Sequence, residues 1–212
     1  DFAGYDLEIV KHLMGNGFKL LIVGDPRQKT YLTHFSVKNK QYNDDKESYI
    51  TKECASLCDI DYTTLNCSFR CPESIISYAS TIFKEYPVSH SNVAQNDTDG
   101  IYLVEKTKIK DFLGNENAVV QLRYDSKSKV YPLKKVLTYG KAKGATYENV
   151  LIYPTANIKS ALLNDDFSNI TSRITLSKLY VALTRAKHKV GIVVADSDIN
   201  KNKNSNLRIW RY

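Results

Sequence analysis

The chain has 212 residues, enough for one large domain or for one domain and part of another. Hydrophobic residues make up 42%, which supports a real core, and no apolar run reaches membrane-spanning length. A net charge of +7 permits contact with a polyanion, although many lysines lie in Asn/Lys-rich stretches such as 200–204 that read as solvated loop.

In chain order, Leu7–Met14 reads as a helix closed by Gly15, Asn16 and Gly17. Leu20–Val23 is short and wholly apolar, the pattern of a strand buried in a parallel sheet. It runs into Gly24-Asp25, which predicts Asp25 at the carboxyl end of a sheet, where α/β proteins bind ligands. Gln28 follows on the loop. Its amide both donates and accepts, so it can sense a terminal phosphate together with an attacking water.

Tyr42–Ser48 is polar and reads as a loop or domain crossing. Thr63–Phe69 reads as a strand that ends at Arg70, just before a helix over Glu73–Lys84 opened by Pro72. That order offers an anion both a guanidinium and a helix N-terminus. Ser89–Gly100 is a polar loop, and Ile101–Glu105, Val119–Tyr124, Lys135–Tyr139 and Val150–Tyr153 are strand candidates.

Between the last two, the segment from Thr138 to Glu148 supplies a hydroxyl, Lys141, Lys143 and a glycine-exposed backbone, a set suited to phosphodiester contacts, although taken alone it reads as a basic loop. Leu179–Ala186 is apolar and helix-like, and a strand-like run, Val190–Ala195, follows it. Arg185 lies inside this apolar segment. A permanent charge there is costly unless an anion meets it. The alternative is an arginine placed at a helix end by the macrodipole. Strands alternating with helices predict an α/β fold with a largely parallel sheet.

Cys54, Cys58, Cys67 and Cys71 form two C-x3-C pairs, a spacing that zinc sites favour. Cys67 falls in a predicted strand and Cys71 directly precedes Pro72, so no metal is assigned to them. No secretory signal opens the chain, which argues against disulfides.

Taken together, four blocks resemble the UvrD/Rep-like family of superfamily 1 DNA helicases. Gly24-Asp25, Gln28 and Tyr31 are similar to its third motif, and Asn66, Phe69 and Arg70 to its fourth. Thr138 to Glu148 resembles the fifth, and Leu179–Ala186 the sixth. The resemblance implies a RecA-like, P-loop NTPase-type sheet flanked by helices, with ATP and Mg as cofactors. Its implied partners are single-stranded DNA and duplex junctions, with no membrane and a cytoplasmic setting.

By the same resemblance, Gln28, Arg70 and Arg185 are the catalytic set, with Arg185 as the arginine finger. Gly144 and Thr146 would also face ATP, and Asp1 and Asp25 the Mg side. Tyr31, His34, Thr138 and Lys141 would meet DNA. Asp1 looks like the last aspartate of Walker B, and no G-x-x-x-x-G-K-[ST] loop occurs in the sequence. The expected division is 1–45 as the end of a first RecA-like domain and 46–212 as the second, with the rest of the first domain upstream. Between Phe83 and Val136 only about fifty residues remain, too few for a large accessory insertion.

Departures from the family pattern are Thr33 where an aromatic is common, Gly140 for histidine, and Ala145-Thr146-Tyr147 for Leu-Glu-Phe. The expected activity is ATP-driven movement on DNA with unwinding. The alternatives are a translocating ATPase subunit without autonomous unwinding, and a non-enzymatic nucleic-acid-binding module.

Overall fold

The computed structural model describes residues 4–31, 37–42 and 46–211. The expectations for Asp1, Thr33 and His34 lie outside these residues. Helix α1 spans Tyr5–Gly15, and a short 3-10 turn over Pro26–Gln28 follows. Then come α2 (Lys46–Glu53), β1 (Cys67–Ser68), α3 (Glu73–Ser80), β2 (His90–Ser91) and β3 (Gly100–Glu105). The chain continues through α4 (Ile109–Asn115), β4 (Val119–Arg123), β5 (Val136–Thr138) and β6 (Tyr147–Tyr153). It ends with α5 (Ala156–Asn164), α6 (Arg173–Leu183), β7 (Ala186–Val194) and β8 (Leu207–Ile209).

Six strands form one sheet in the order β5-β4-β6-β7-β3-β8, and every neighbouring pair is parallel. This is the predicted α/β class. Because helices cover both faces, the central strands carry short apolar runs such as Ile101–Val104 and Val150–Ile152. On one face Leu103, Leu122, Ile152 and Ile192 pack with residues of α3, α5 and α6. On the other, Val104, Leu151 and Val193 pack with α4 and Trp210. Gly191 lets α4 come close. A Cβ there would stand 2.8 Å from both Leu151 Cδ1 and Phe112 Cζ.

The amino-terminal arm has its own small core, in which Leu7, Tyr49 and Cys54 join α1 to α2. Glu8 Oε1 ties it by accepting from Asn39 Nδ2 at 2.9 Å and from the Tyr49 hydroxyl at 3.1 Å.

Several expectations change. Leu20–Val23 is not a strand; no described strand lies beside it, so its backbone has no ladder to join. Consequently Asp25 does not stand at the end of a sheet. Part of the polar Tyr42–Ser48 segment belongs to α2. The predicted strand Thr63–Phe69 shrinks to two residues in a separate pairing with β2. Asp61 diverts its start, because Oδ1 accepts from the amides of Thr63 and Thr64 at 2.6 and 3.0 Å. Helix α3 stops at Ser80, where Thr81 Oγ1 donates to Tyr78 O at 2.8 Å and the amides of Ile82 and Phe83 turn back to Ala79 O and Ser80 O. Conversely, β6 and β7 begin earlier than predicted, at Tyr147 and Ala186, and β8 has no counterpart in the sequence reading.

Candidate phosphate and nucleic-acid site

Helix α6 passes into β7 through only Thr184 and Arg185. Thr184 closes the helix, its amide and its Oγ1 both donating to Tyr180 O, at 3.0 and 2.9 Å. Arg185 is thereby drawn under the surface, 1% exposed, beside the amino ends of β6 and β7. Its guanidinium donates to Val181 O at 3.0 Å, Ala145 O at 3.3 Å and Thr184 Oγ1 at 3.1 Å. All three acceptors are neutral. Burial, and then the charge of Arg70, pulls its pKa down to about 10.

Arg70 comes from the turn between β1 and α3, which Ser68 Oγ fixes by accepting from the amides of Arg70 and Cys71 at 3.3 and 3.1 Å. Arg70 Nε donates to Thr146 Oγ1 at 2.7 Å and Nη1 to Thr184 O at 3.2 Å. Among the described residues, no carboxylate lies within salt-bridge distance of Arg70 or Arg185. Two guanidiniums thus share Thr184 with no carboxylate directly paired to either, an arrangement that favours an anion. The helix N-terminus expected to assist is engaged elsewhere, since the Ser74 amide donates to Gln95 Oε1 at 2.9 Å. Burial also pushes the Cys71 thiol up to about 11, against the pull of the two arginines.

These groups line one cleft of about 690 Å³ together with Asp25, Arg27, Gln28, Cys67, Tyr180, Lys187 and His188. Gln28 and Asp25 thus line the same cleft as the two arginines. Asp25, however, offers no free carboxylate: Oδ1 accepts from the amide and Nε of Arg27 at 3.0 and 2.9 Å, and Oδ2 from Gln28 Nε2 at 2.9 Å. A divalent cation does not fit here, because this carboxylate is already satisfied. Among the described residues, no other group of His, Cys, Asp or Glu is arranged to hold a metal. A phosphate fits the uncompensated arginines.

Thr146, expected to face ATP, lines the cleft, and its hydroxyl accepts from Arg70 Nε. Gly144, at φ +83, makes the turn before it and does not line the cleft.

Of the expected nucleic-acid residues, Tyr31, Thr138 and Lys141 are described and lie along the segment 138–143 or against it. Tyr31 is half exposed, with Lys143 Nζ 5.7 Å from its ring centre. Thr30 lies 3.8 Å from the position of a Cβ on Gly140. The Lys141 amide leans on Thr138 Oγ1 at 3.4 Å, and the Lys141 side chain is exposed. The sequence reading missed Arg27 and Thr184, although each stands beside a residue that it did single out. Among the described residues no helix is long and apolar enough to cross a membrane.

The sequence matches the family described as the viral superfamily 1 RNA helicase core domain over residues 12–194. No curated protein sequence matches the chain. Among solved structures it is similar to the C-terminal domain of a possible DNA helicase from Lactobacillus plantarum WCFS1. That match has 11% identity and a TM-score of 0.41, over 67% of this chain and 98% of that one. It is also similar to the PRRSV nsp10 helicase, at 18% identity and a TM-score of 0.38, over 64% of this chain. For the arterivirus nonstructural protein 10 helicase the identity is 17% and the TM-score 0.39, over 65% of this chain. The chain spans 25% and 27% of the length of these two viral proteins.

Proposed function

The chain belongs to the viral superfamily 1 RNA helicase core family, and from that premise we propose that it is the second RecA-like half of a nucleoside-triphosphate-driven helicase. The observation that carries this reading is the convergence of Gln28, Arg70 and Arg185 on one cleft, with two guanidiniums that, among the described residues, have no carboxylate within salt-bridge distance. Arg70 and Arg185 hold the terminal phosphate, and the Gln28 amide senses it. Bound Mg would supply charge neutralisation, from ligands outside the described residues. Tyr31, Thr138 and Lys141 bind the nucleic-acid strand.

The P-loop and catalytic glutamate would come from the rest of a first RecA-like domain that precedes Asp1. Two observations support this. The sequence contains no P-loop, and Leu20–Val23 exposes apolar side chains that a neighbouring strand and helix would cover. The family description favours RNA as the strand. DNA is the second reading, favoured by the likeness of Gln28 and Tyr31 to the UvrD/Rep third motif.

Strand displacement by the full-length protein on RNA and DNA duplexes of equal sequence decides between them. Strand-stimulated hydrolysis without displacement on either would point to a translocating subunit instead. Arg185→Ala is expected to lower kcat by roughly 10³–10⁵. A full-length protein that hydrolyses nothing, with or without nucleic acid, would sink the reading. The 212-residue chain alone is expected to show no turnover above a buffer blank.

A further inference from the structure

Arg27 has no role in the functional reading above, yet its side chain is only 13% exposed and closes a continuous chain of hydrogen bonds. Gln28 Nε2 donates to Asp25 Oδ2 and Arg27 Nε to Asp25 Oδ1, both at 2.9 Å. Arg27 Nη1 donates to Ser89 Oγ at 3.0 Å, and Ser89 Oγ donates onward to Asn66 Oδ1 at 2.7 Å. Asn66 directly precedes β1, the strand that leads to Arg70. The guanidinium also stacks over the Tyr180 ring, 4.9 Å from its centre, about one helical turn before Arg185. Ser89 and Tyr180 are 4% and 2% exposed, so these contacts are shielded from water.

One side chain therefore touches Asp25 of the Gln28 loop and Tyr180 of the Arg185 helix, and reaches the Arg70 arm through Ser89 and Asn66. We propose that Arg27 is a positioning residue that sets the Gln28 amide relative to Arg70 and Arg185, so that one terminal phosphate meets all three. The inference rests on the functional reading above for its consequence, but not for its geometry. The planar fork matters. A lysine keeps the charge, yet its single ammonium cannot bridge Asp25 and Ser89 while also lying over the Tyr180 ring.

The test has two parts. In the 212-residue chain, hydrogen exchange of the amides in 25–31 is expected to quicken about tenfold or more in both Arg27→Lys and Arg27→Met, and less in Ser89→Ala, while α6 stays protected. In the full-length protein, Arg27→Lys is expected to lower kcat for triphosphate hydrolysis about tenfold with KM unchanged within about twofold. The Arg27→Lys/Ser89→Ala double variant should fall no further, because both act through one chain of bonds.

Wild-type exchange in both Arg27 variants overturns the proposal, as does a rise in KM with kcat preserved. Absence of hydrolysis in the wild-type protein would count against the functional reading instead, and the exchange result would still decide whether Arg27 holds the loop.

Discussion

In the sheet body, β6 and β7 bury both faces, and Leu151, Ile152 and Ile192 are each 0% exposed. In the amino-terminal arm, Leu20, Leu21, Ile22 and Val23 are equally apolar, yet they are 41%, 91%, 45% and 64% exposed. The two runs have the same chemistry and different surroundings. An apolar run becomes a strand when a neighbour supplies hydrogen bonds and a helix covers it. The body supplies both to β6, and nothing described supplies either to Leu20–Val23.

The contrast can be broken at four places. Leu151→Ala empties a fully buried site between the sheet and α4 and is expected to cost about 2–5 kcal/mol, read as a lower denaturant midpoint. Gly191→Ala forces a methyl into contacts of 2.8 Å and should cost about 1–3 kcal/mol in the same measurement. Arg185→Met should change stability by less than about 1 kcal/mol, because losing an uncompensated buried charge offsets the lost bonds to Val181 O and Ala145 O. Tripolyphosphate should raise the melting temperature of the wild-type chain but not that of this variant. Smallest of all, Leu21→Ala in the isolated chain is expected to stay within about 0.5 kcal/mol. A cost above 2 kcal/mol there would mean that Leu21 is packed in solution, and the contrast would fail.

The same contrast explains what could be read from the sequence. The strands over Ile101–Glu105 and Val119–Tyr124 are legible because burial on both faces favours apolar residues, which dominate both runs despite Gln121 and Arg123. Leu20–Val23 carries that same signal without the neighbours, which a sequence window cannot show. Thr63–Phe69 was overrun because the side chain of Asp61 captures two amides, a local competition that β propensity does not record. At the site, Gln28, Arg70 and Arg185 were named in advance, and the structure brings them to one cleft.

Arg27 was not named, since its meaning depends on Ser89, 62 residues away. Thr184 acts partly through its carbonyl oxygen, which no side-chain pattern reveals. Asp25 was read for its charge, whereas its three accepted bonds make it an internal brace.

Thr138 aligns with Arg123, as does Tyr153, so the end of β5 lies level with the end of β6. The chain then returns past Gly140 and Gly144 to Tyr147, whose amide donates to Arg185 O at 2.9 Å. That return traverses the full length of β6, about 20 Å at an ordinary strand rise. Thr30 and Tyr31 lie against the same return at Gly140 and Lys143, while Gln28 lines the cleft of the arginine pair. Two short tethers of fixed length therefore run side by side between the Tyr31–Lys143 surface and the arginine pair. Tension at one end has little slack to absorb it before it reaches the other.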